Sequence, residues 1–427
     1  MRKRRVIAVA LAAAVAAGLA VSARTSSASS AKSCSFTLKI GDVLPFTGGL
    51  AAYGANLDKA VKVAVGLQNA ALKKDGLAGK IKVQLVGSED GQTQATASVE
   101  AAKKLISADH ANVLIGEMAS SATIPMAQSV SIPDHVVQIS PTSSAPQITD
   151  LKDNGYMWRT YPSDTLQGKV LAQAVLDAFG KGATINVGAR NDAFGTALKQ
   201  LFVDGFQKLG GKIGVNISWN PDQPNFDSEA AQLAGGNPAG WVIIDFPETF
   251  QKFVPSLVRS GKWDPTKTFM TEAMRDTSVL DGIGNPVIGL RGTAASAAGG
   301  PAGAAFAAYW KAHVTGAKPY TGFEGTALDA ANVAFLAAVR ACSASPAKLK
   351  ASLIPVSGPP GTKVTFLQLA KAVKLLQSGK DVDYEGAFSP VDFDKNGDVS
   401  SAVFEVWKYS AAGKIDTLKT ITFRSSG

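Results

Sequence analysis

The sequence predicts an α/β protein whose parallel sheets are covered by helices on both faces, and two observations carry that expectation. Between residues 36 and 271, short β-rich runs alternate with longer helical stretches, the pattern of strands joined through crossover helices. The composition, 46% hydrophobic and 18% charged over 427 residues, suits a folded chain of two or three domains and excludes a mostly disordered one. Eight such strands admit either one barrel or two doubly wound sheets.

Strands are expected at residues 37–44, 81–86, 112–115, 136–139, 184–189, 213–218, 241–245 and 268–271, with helices between them at 56–74, 93–107, 122–130, 165–179, 195–209 and 226–233. The helix at 56–74 carries the clearest signals. Asn56 stands where a cap is needed, Ala60, Val63, Ala64 and Leu67 recur at helical spacing, and Gly76 follows the end. After Thr271 the alternation stops. Ala-rich helices at 303–313 and 326–342, a Pro/Gly stretch at 355–361 and a helix at 366–377 follow, and a hairpin-like pair at 386–393 and 401–409 closes the chain.

The formal charge is +9, from 43 Lys and Arg against 34 Asp and Glu. Taken alone it would invite a nucleic-acid or anionic-membrane partner. Its distribution argues otherwise. Arg2, Lys3, Arg4, Arg5, Arg24 and Lys32 all fall in the first 33 residues, without an acid among them. Residues 6–21 are almost wholly Ala, Val, Leu and Ile, and Val21-Ser22-Ala23 follows. A basic start, a short apolar core and small residues at a cleavage point describe a secretory signal; a retained membrane anchor is the alternative. From Cys34 onward the balance is 37 basic against 34 acidic residues, so the excess is largely an export address and gives no case for nucleic acid. An even cysteine count in an exported chain favours a Cys34–Cys342 disulfide. A lipidated Cys34 or two free thiols remain the other possibilities, although Ala31-Lys32-Ser33 does not resemble a lipoprotein box.

A search for catalytic constellations returns little, and neither an enzyme, a cofactor nor a metal is expected. There is no Gly-x-Ser-x-Gly elbow and no phosphate-binding Gly-x-x-x-x-Gly-Lys loop. His110, His135 and His313 are far apart. Gly282-Ile283-Gly284 is followed by Pro286 where a dinucleotide-binding helix would have to wind. Asp392-Phe393-Asp394-Lys395-Asn396-Gly397 matches the start of a calcium loop, but its twelfth position is Val403, and Asn-Gly between apolar runs is a hairpin signal.

Clusters of hydroxyls at strand ends are more informative. The strand at 112–115 runs into Ser120, Ser121 and Thr123, and the strand at 136–139 runs into Ser140, Thr142, Ser143 and Ser144. Ligands of open α/β sheets bind beyond such ends, where backbone N–H groups and hydroxyls can hold a carboxylate. The same residues also suit a helix cap and an ordinary turn, and spacing does not choose between these readings.

Several segments, taken in order, resemble the branched-chain amino-acid-binding family, the exported solute receptors of ABC importers. Ile40-Gly41-Asp42-Val43-Leu44-Pro45-Phe46-Thr47-Gly48 with Ala52-Tyr53-Gly54 matches its first motif, and Ile115-Gly116 with Ser120, Ser121 and Thr123 its second. Ile139-Ser140-Pro141-Thr142 with Ala145-Pro146 matches the third. Trp158-Arg159-Thr160-Tyr161-Pro162-Ser163-Asp164 with Gln167-Gly168 resembles the crossing into a second lobe, and Phe393-Asp394-Lys395-Asn396-Gly397-Asp398 a late hairpin turn.

The resemblance implies a type I periplasmic binding fold: two doubly wound α/β lobes joined by three crossover segments, with the ligand cleft between them. Lobe one would comprise residues 36–160 plus about 292–385, and lobe two 161–291 plus 386–427. Ser120, with Ser121 beside it, and Thr142, Ser143 and Ser144 would then bind the α-carboxylate of a ligand, and Glu272 its ammonium. Tyr53, Phe194 and Phe246 would line a side-chain pocket. Two departures alter that pocket: Asn191-Asp192-Ala193-Phe194-Gly195 lacks a tyrosine frequent in relatives, and Asp245-Phe246-Pro247-Glu248 replaces a Gly/Tyr-rich run. The expected partners are a small amino-acid-like solute and a membrane permease, for a monomer in the periplasm or on the outer face of the cell envelope. A ligand-sensing ectodomain is the alternative, and a secreted α/β enzyme a weaker one.

Overall fold

The computed structural model describes residues 34–297 and 302–424; the expected secretory signal at residues 1–33 lies outside them. The first sheet comprises β1 (Phe36–Leu44), β2 (Ile81–Asp90), β3 (Val113–Gly116), β4 (Val137–Ser140) and β5 (Met157–Arg159), connected through α1 (Ala51–Lys74), α2 (Ala95–Ser107) and α3 (Ser120–Met126). Its order is β2-β1-β3-β4-β5, and every pairing is parallel. Helices cover both faces, so β3 and β4 are buried at all their residues; β3 reads as a short apolar run, while in β4 the buried Gln138 and Ser140 donate to the Gly116 and Glu117 carbonyls.

The chain then crosses to a second set: α4 (Asp164–Phe179), β6 (Thr184–Arg190), α5 (Ala193–Lys208), β7 (Lys212–Trp219), α6 (Asp227–Leu233), β8 (Gly240–Ile244), α7 (Pro247–Arg259), β9 (Thr268–Met270), α8 (Thr277–Ile283) and β10 (Arg291–Ala295). It returns to the first lobe as α9 (Gly303–His313), α10 (Phe323–Ala341), α11 (Pro346–Ser357), β11 (Thr362–Val364), α12 (Leu369–Gln377) and β12 (Val382–Tyr384). A third crossing leads to β13 (Ser401–Ala411) and β14 (Lys414–Arg424). The second sheet has the order β14-β13-β10-β9-β8-β6-β7, antiparallel only at its β13 and β14 end. The chain therefore forms two doubly wound sheets and not a barrel.

Helix α10 is buried at every residue from Phe323 to Val339, which explains its small side chains, and it packs against α1 and α11. Its buried Asp329 accepts from the N–H groups of Ala387 (2.8 Å) and Phe388 (3.0 Å), fixing the start of the third crossing. Cys34 and Cys342 are joined as a disulfide, with Cα atoms 5.1 Å apart.

Three sequence expectations are corrected. Helix α1 begins at Ala51, and Asn56 is an interior residue whose buried amide donates to Glu324 Oε1 (2.7 Å), so it caps nothing. The closing hairpin pairs β13 with β14 and not with residues 386–393. Around Asn396-Gly397 only Phe393 and Val399 form an isolated bridge, because Gly397 gives its carbonyl to the Arg159 N–H (3.0 Å) of the first crossing. Finally, residues 292–295, assigned to lobe one, lie in β10, a strand held between β9 and β13 of the second sheet. The return to the first lobe comes after Ala295.

Candidate functional site

Each sheet has one switch point where successive connections leave in opposite directions, between β1 and β3 in the first and between β6 and β8 in the second. Ligands of open α/β sheets lie outside the carboxyl ends of strands at such points. Here the two points face each other across a cavity of about 20 Å3. The first lobe supplies Leu50 after β1, Met118, Ala119 and Ser120 after β3, Thr142 and Ser144 after β4, and Phe323 opening α10. The second supplies Phe194 after β6, Phe246 after β8, and Glu272 with Ala273 after β9. That volume is room for about one water, so the two lobes are closed on each other.

The hydroxyl side is held by its own hydrogen bonds. Thr142 Oγ1 donates to the Met118 carbonyl (2.8 Å), and Ser143 Oγ lies 2.7 Å from Thr123 Oγ1. Ser140 Oγ accepts from the Ser143 N–H (3.0 Å) and donates to the Glu117 carbonyl (2.7 Å). Ser120 caps no helix; its Oγ accepts from the Ala145 N–H (3.2 Å). Its own proton is left to offer to an anion.

Opposite stands Glu272, buried in a short turn after β9. Gln167 Nε2 donates to its Oε2. The nearby Arg275 pairs instead with Glu405, and among the described residues no lysine or arginine lines the cavity. Burial pushes the Glu272 carboxyl up to about 7, with the Gln167 hydrogen bond acting the other way. Asp164 lies beside it, also buried. It accepts from Ser144 Oγ (3.0 Å), yet its Oδ1 has no partner. Burial first, and the Glu272 charge second, hold Asp164 well above the usual carboxylate range. Glu272 thus faces the cavity as a desolvated acid, with Asp164 buried beside it outside the lining, an arrangement that favours a positively charged group against Glu272.

Of the residues singled out from the sequence, Ser120, Thr142, Ser144, Phe194, Phe246 and Glu272 come together in this lining. Tyr53 does not reach it. Its hydroxyl donates to the Ala273 carbonyl (2.7 Å) and its ring meets Phe323 edge-on at 5.3 Å, so it clasps the two lobes behind the wall. Ser143 is turned back onto the Met118 carbonyl (3.1 Å), and Ser121 is half-buried outside the lining. Asp164 and Gln167 enter the sequence reading only as part of the crossing motif; both stand in the first residues of α4, after β5.

The raised carboxyls set a pH dependence. Below about 4.5, Glu272 is protonated in both folded and unfolded chains and contributes nothing. Between about 4.5 and 7 the unfolded chain releases that proton while the folded one retains it, so stability falls as pH rises. Glu117, raised to about 8, and Asp329, raised to about 7, act in the same direction, both through burial. The ligand-free protein is therefore expected to melt at a higher temperature at pH 5 than at pH 8. A thermal scan that rises over that interval contradicts the reading.

A family model described as periplasmic binding protein matches residues 37–404. The chain belongs to that family. Among curated relatives, this periplasmic binding protein is 24% identical to the chemotactic signal transduction system substrate-binding protein BasB of Halobacterium salinarum, over 83% of this chain and 82% of the relative. It is 25% identical to the Leu/Ile/Val-binding protein BraC3 of Rhizobium johnstonii, over 88% and 93%. Among solved structures, the solute binding protein of an ABC transporter from R. palustris, in complex with benzoate, superposes with a TM-score of 0.70 at 18% identity, over 92% of this chain and 98% of that one. The fold is that of type I periplasmic binding proteins, and the chain groups with their branched-chain amino-acid-binding-like members.

Proposed function

We propose that this periplasmic binding protein is the extracytoplasmic receptor of an ABC importer, closing its lobes around one amino acid and presenting the closed form to a membrane permease as a monomer. The lobes would be those bounded by the three crossings, with the first return placed after Ala295. The observation that carries the reading is Glu272, a buried carboxylate facing hydroxyls across a cavity that, among the described residues, no lysine or arginine lines. A zwitterion completes that wall. Its ammonium sits against Glu272, and its carboxylate takes the Ser120 proton and nearby backbone N–H groups. A bare carboxylate such as benzoate supplies no charge to offset the acids. Leu50, Met118, Phe194, Phe246 and Phe323 form the rest of that wall, which suits an apolar side chain once the lobes part enough to admit it.

The test compares amino acids with their deaminated counterparts by thermal shift and titration calorimetry. Leucine-sized zwitterions are expected to raise the melting temperature through binding linkage, whereas 4-methylpentanoate and benzoate leave it unmoved. Equal or better binding of the deaminated acids sinks the reading. The relation to BasB favours a second role for the same cleft, presenting its ligand to a signalling partner. Neighbouring permease and ATPase genes would argue for import, and a receptor gene for sensing.

A further inference from the structure

Tyr53 stands in the first turn of α1, in the first lobe, and is buried without lining the cavity. Its hydroxyl donates to the carbonyl of Ala273 (2.7 Å), a residue that follows β9 of the second lobe and does line the cavity. The bond therefore runs from lobe to lobe, directly behind the wall that a ligand would touch. A second bond across the cleft, from Gln94 Nε2 to Asp222 Oδ1, is exposed and 3.4 Å long, and so holds the lobes less firmly. The phenol ring extends the contact towards the hinge. It meets Phe323 edge-on at 5.3 Å, Phe323 lies 5.8 Å from the Tyr161 ring, and Tyr161 lies 5.5 Å from Phe388. Tyr161 belongs to the first crossing and Phe388 to the third. The Tyr161 hydroxyl accepts from the N–H of Ala295 (3.3 Å), where the second crossing begins. One buried run of rings thus joins the cross-cleft bond to all three segments about which the lobes turn.

In the closed form the hydroxyl and the carbonyl satisfy each other away from water. When the lobes part, water takes over both groups. Deleting the hydroxyl therefore leaves the open form little changed and strands the Ala273 carbonyl in the closed one, a cost that falls on closure alone. The apparent affinity of any ligand scales with the fraction of protein in its binding-competent form. A cost to closure thus weakens every ligand by one common factor, whatever its side chain. A residue in contact with the ligand behaves differently, because its loss is felt by some side chains more than by others.

We propose that Tyr53 is a closure latch, a positioning residue that touches no ligand and sets the balance between open and closed lobes, and with it the overall affinity of the cleft and not its selectivity. The inference rests on the proposed receptor function and names what governs the closing of that same site.

Tyr53→Phe tests it, since it keeps the ring and removes the hydroxyl. Tyr409→Phe is the control, because the Tyr409 hydroxyl bonds Asp281 within the second lobe. Titration calorimetry with alanine, valine, leucine and phenylalanine is expected to show Tyr53→Phe weakening each ligand that binds the parent by about tenfold. The factors for different ligands should agree within about twofold, and Tyr409→Phe should leave every affinity within about twofold of the parent. Unchanged affinities overturn the latch. So do factors that differ severalfold between a small and a large side chain, which would make Tyr53 a ligand contact, and so does an equal loss in Tyr409→Phe, which would make the effect one of general stability. With fewer than two binders, small-angle X-ray scattering of the ligand-free proteins decides. A larger radius of gyration for Tyr53→Phe than for the parent supports the latch, and an equal one overturns it. If none of the four amino acids binds the parent, the receptor reading falls, and the scattering comparison still decides the latch on its own.

Discussion

Exchanging Asp398 for asparagine is expected to lower the free energy of unfolding by about 3–5 kcal/mol, the usual consequence of stranding one partner of a buried ion pair. Arg159 at the end of β5 is fully buried. Its Nε donates to Asp398 Oδ1 (2.6 Å) and its Nη2 to Oδ2 (2.9 Å), while Nη1 donates to the Ala145 carbonyl (2.9 Å). Thr149 Oγ1 completes the group, donating to Asp398 Oδ2 at 2.7 Å. Asparagine keeps the shape and loses the charge, leaving a guanidinium in the interior without the carboxylate that pairs with it. Urea denaturation reads the loss as a lower midpoint at unchanged slope, and a change below about 1 kcal/mol refutes the role. Ligand affinity should fall with it, because the Ala145 carbonyl held by Arg159 belongs to the residue whose N–H engages Ser120.

Glu272→Gln is expected to weaken a zwitterionic ligand by about 2–3 kcal/mol, or roughly 30- to 150-fold, through loss of a charged hydrogen bond to the ammonium. The same substitution removes a carboxyl that is costly to ionise in the ligand-free protein. At pH 8 the variant should therefore melt no lower than the parent while binding far less. A substitution that merely damaged the fold would lower both. Unchanged affinity in titration calorimetry takes Glu272 out of the site.

The sequence made the parallel strands and the hydroxyl clusters legible because both follow local rules: apolar runs mark buried strands, and Ser or Thr gathers where strands end. The side chains that complete the site were less visible. Glu272 was reached from a strand end together with the family resemblance. Asp164 was read as part of a crossing, since nothing local shows that it will be buried beside Glu272. Strand β14 escaped notice because it is an edge strand, largely exposed at its residues from Asp416 to Ile421, and so carries no pattern of burial. β10 is similarly mute. Gly292 leaves space under the Trp407 ring, where a side chain would collide at 2.3 Å, and the bulk that would announce a strand comes from its neighbour. The Asn-Gly signal was real as a turn, but the pairing partner of residues 401–409 was decided by a sheet edge far along the chain.

The bond between Cys34 and Cys342 has a topological consequence. Both residues belong to the first lobe, one at the foot of β1 and the other at the end of α10, so the covalent tie does not span the cleft and leaves the lobes free to part. Yet the 308 residues of separation between them include the second-lobe strands from β6 to β10. Most of the second lobe is thus threaded on a closed covalent ring. A single cut in any of its loops would open the ring without dividing the protein, and the two pieces would stay together until the bond was reduced.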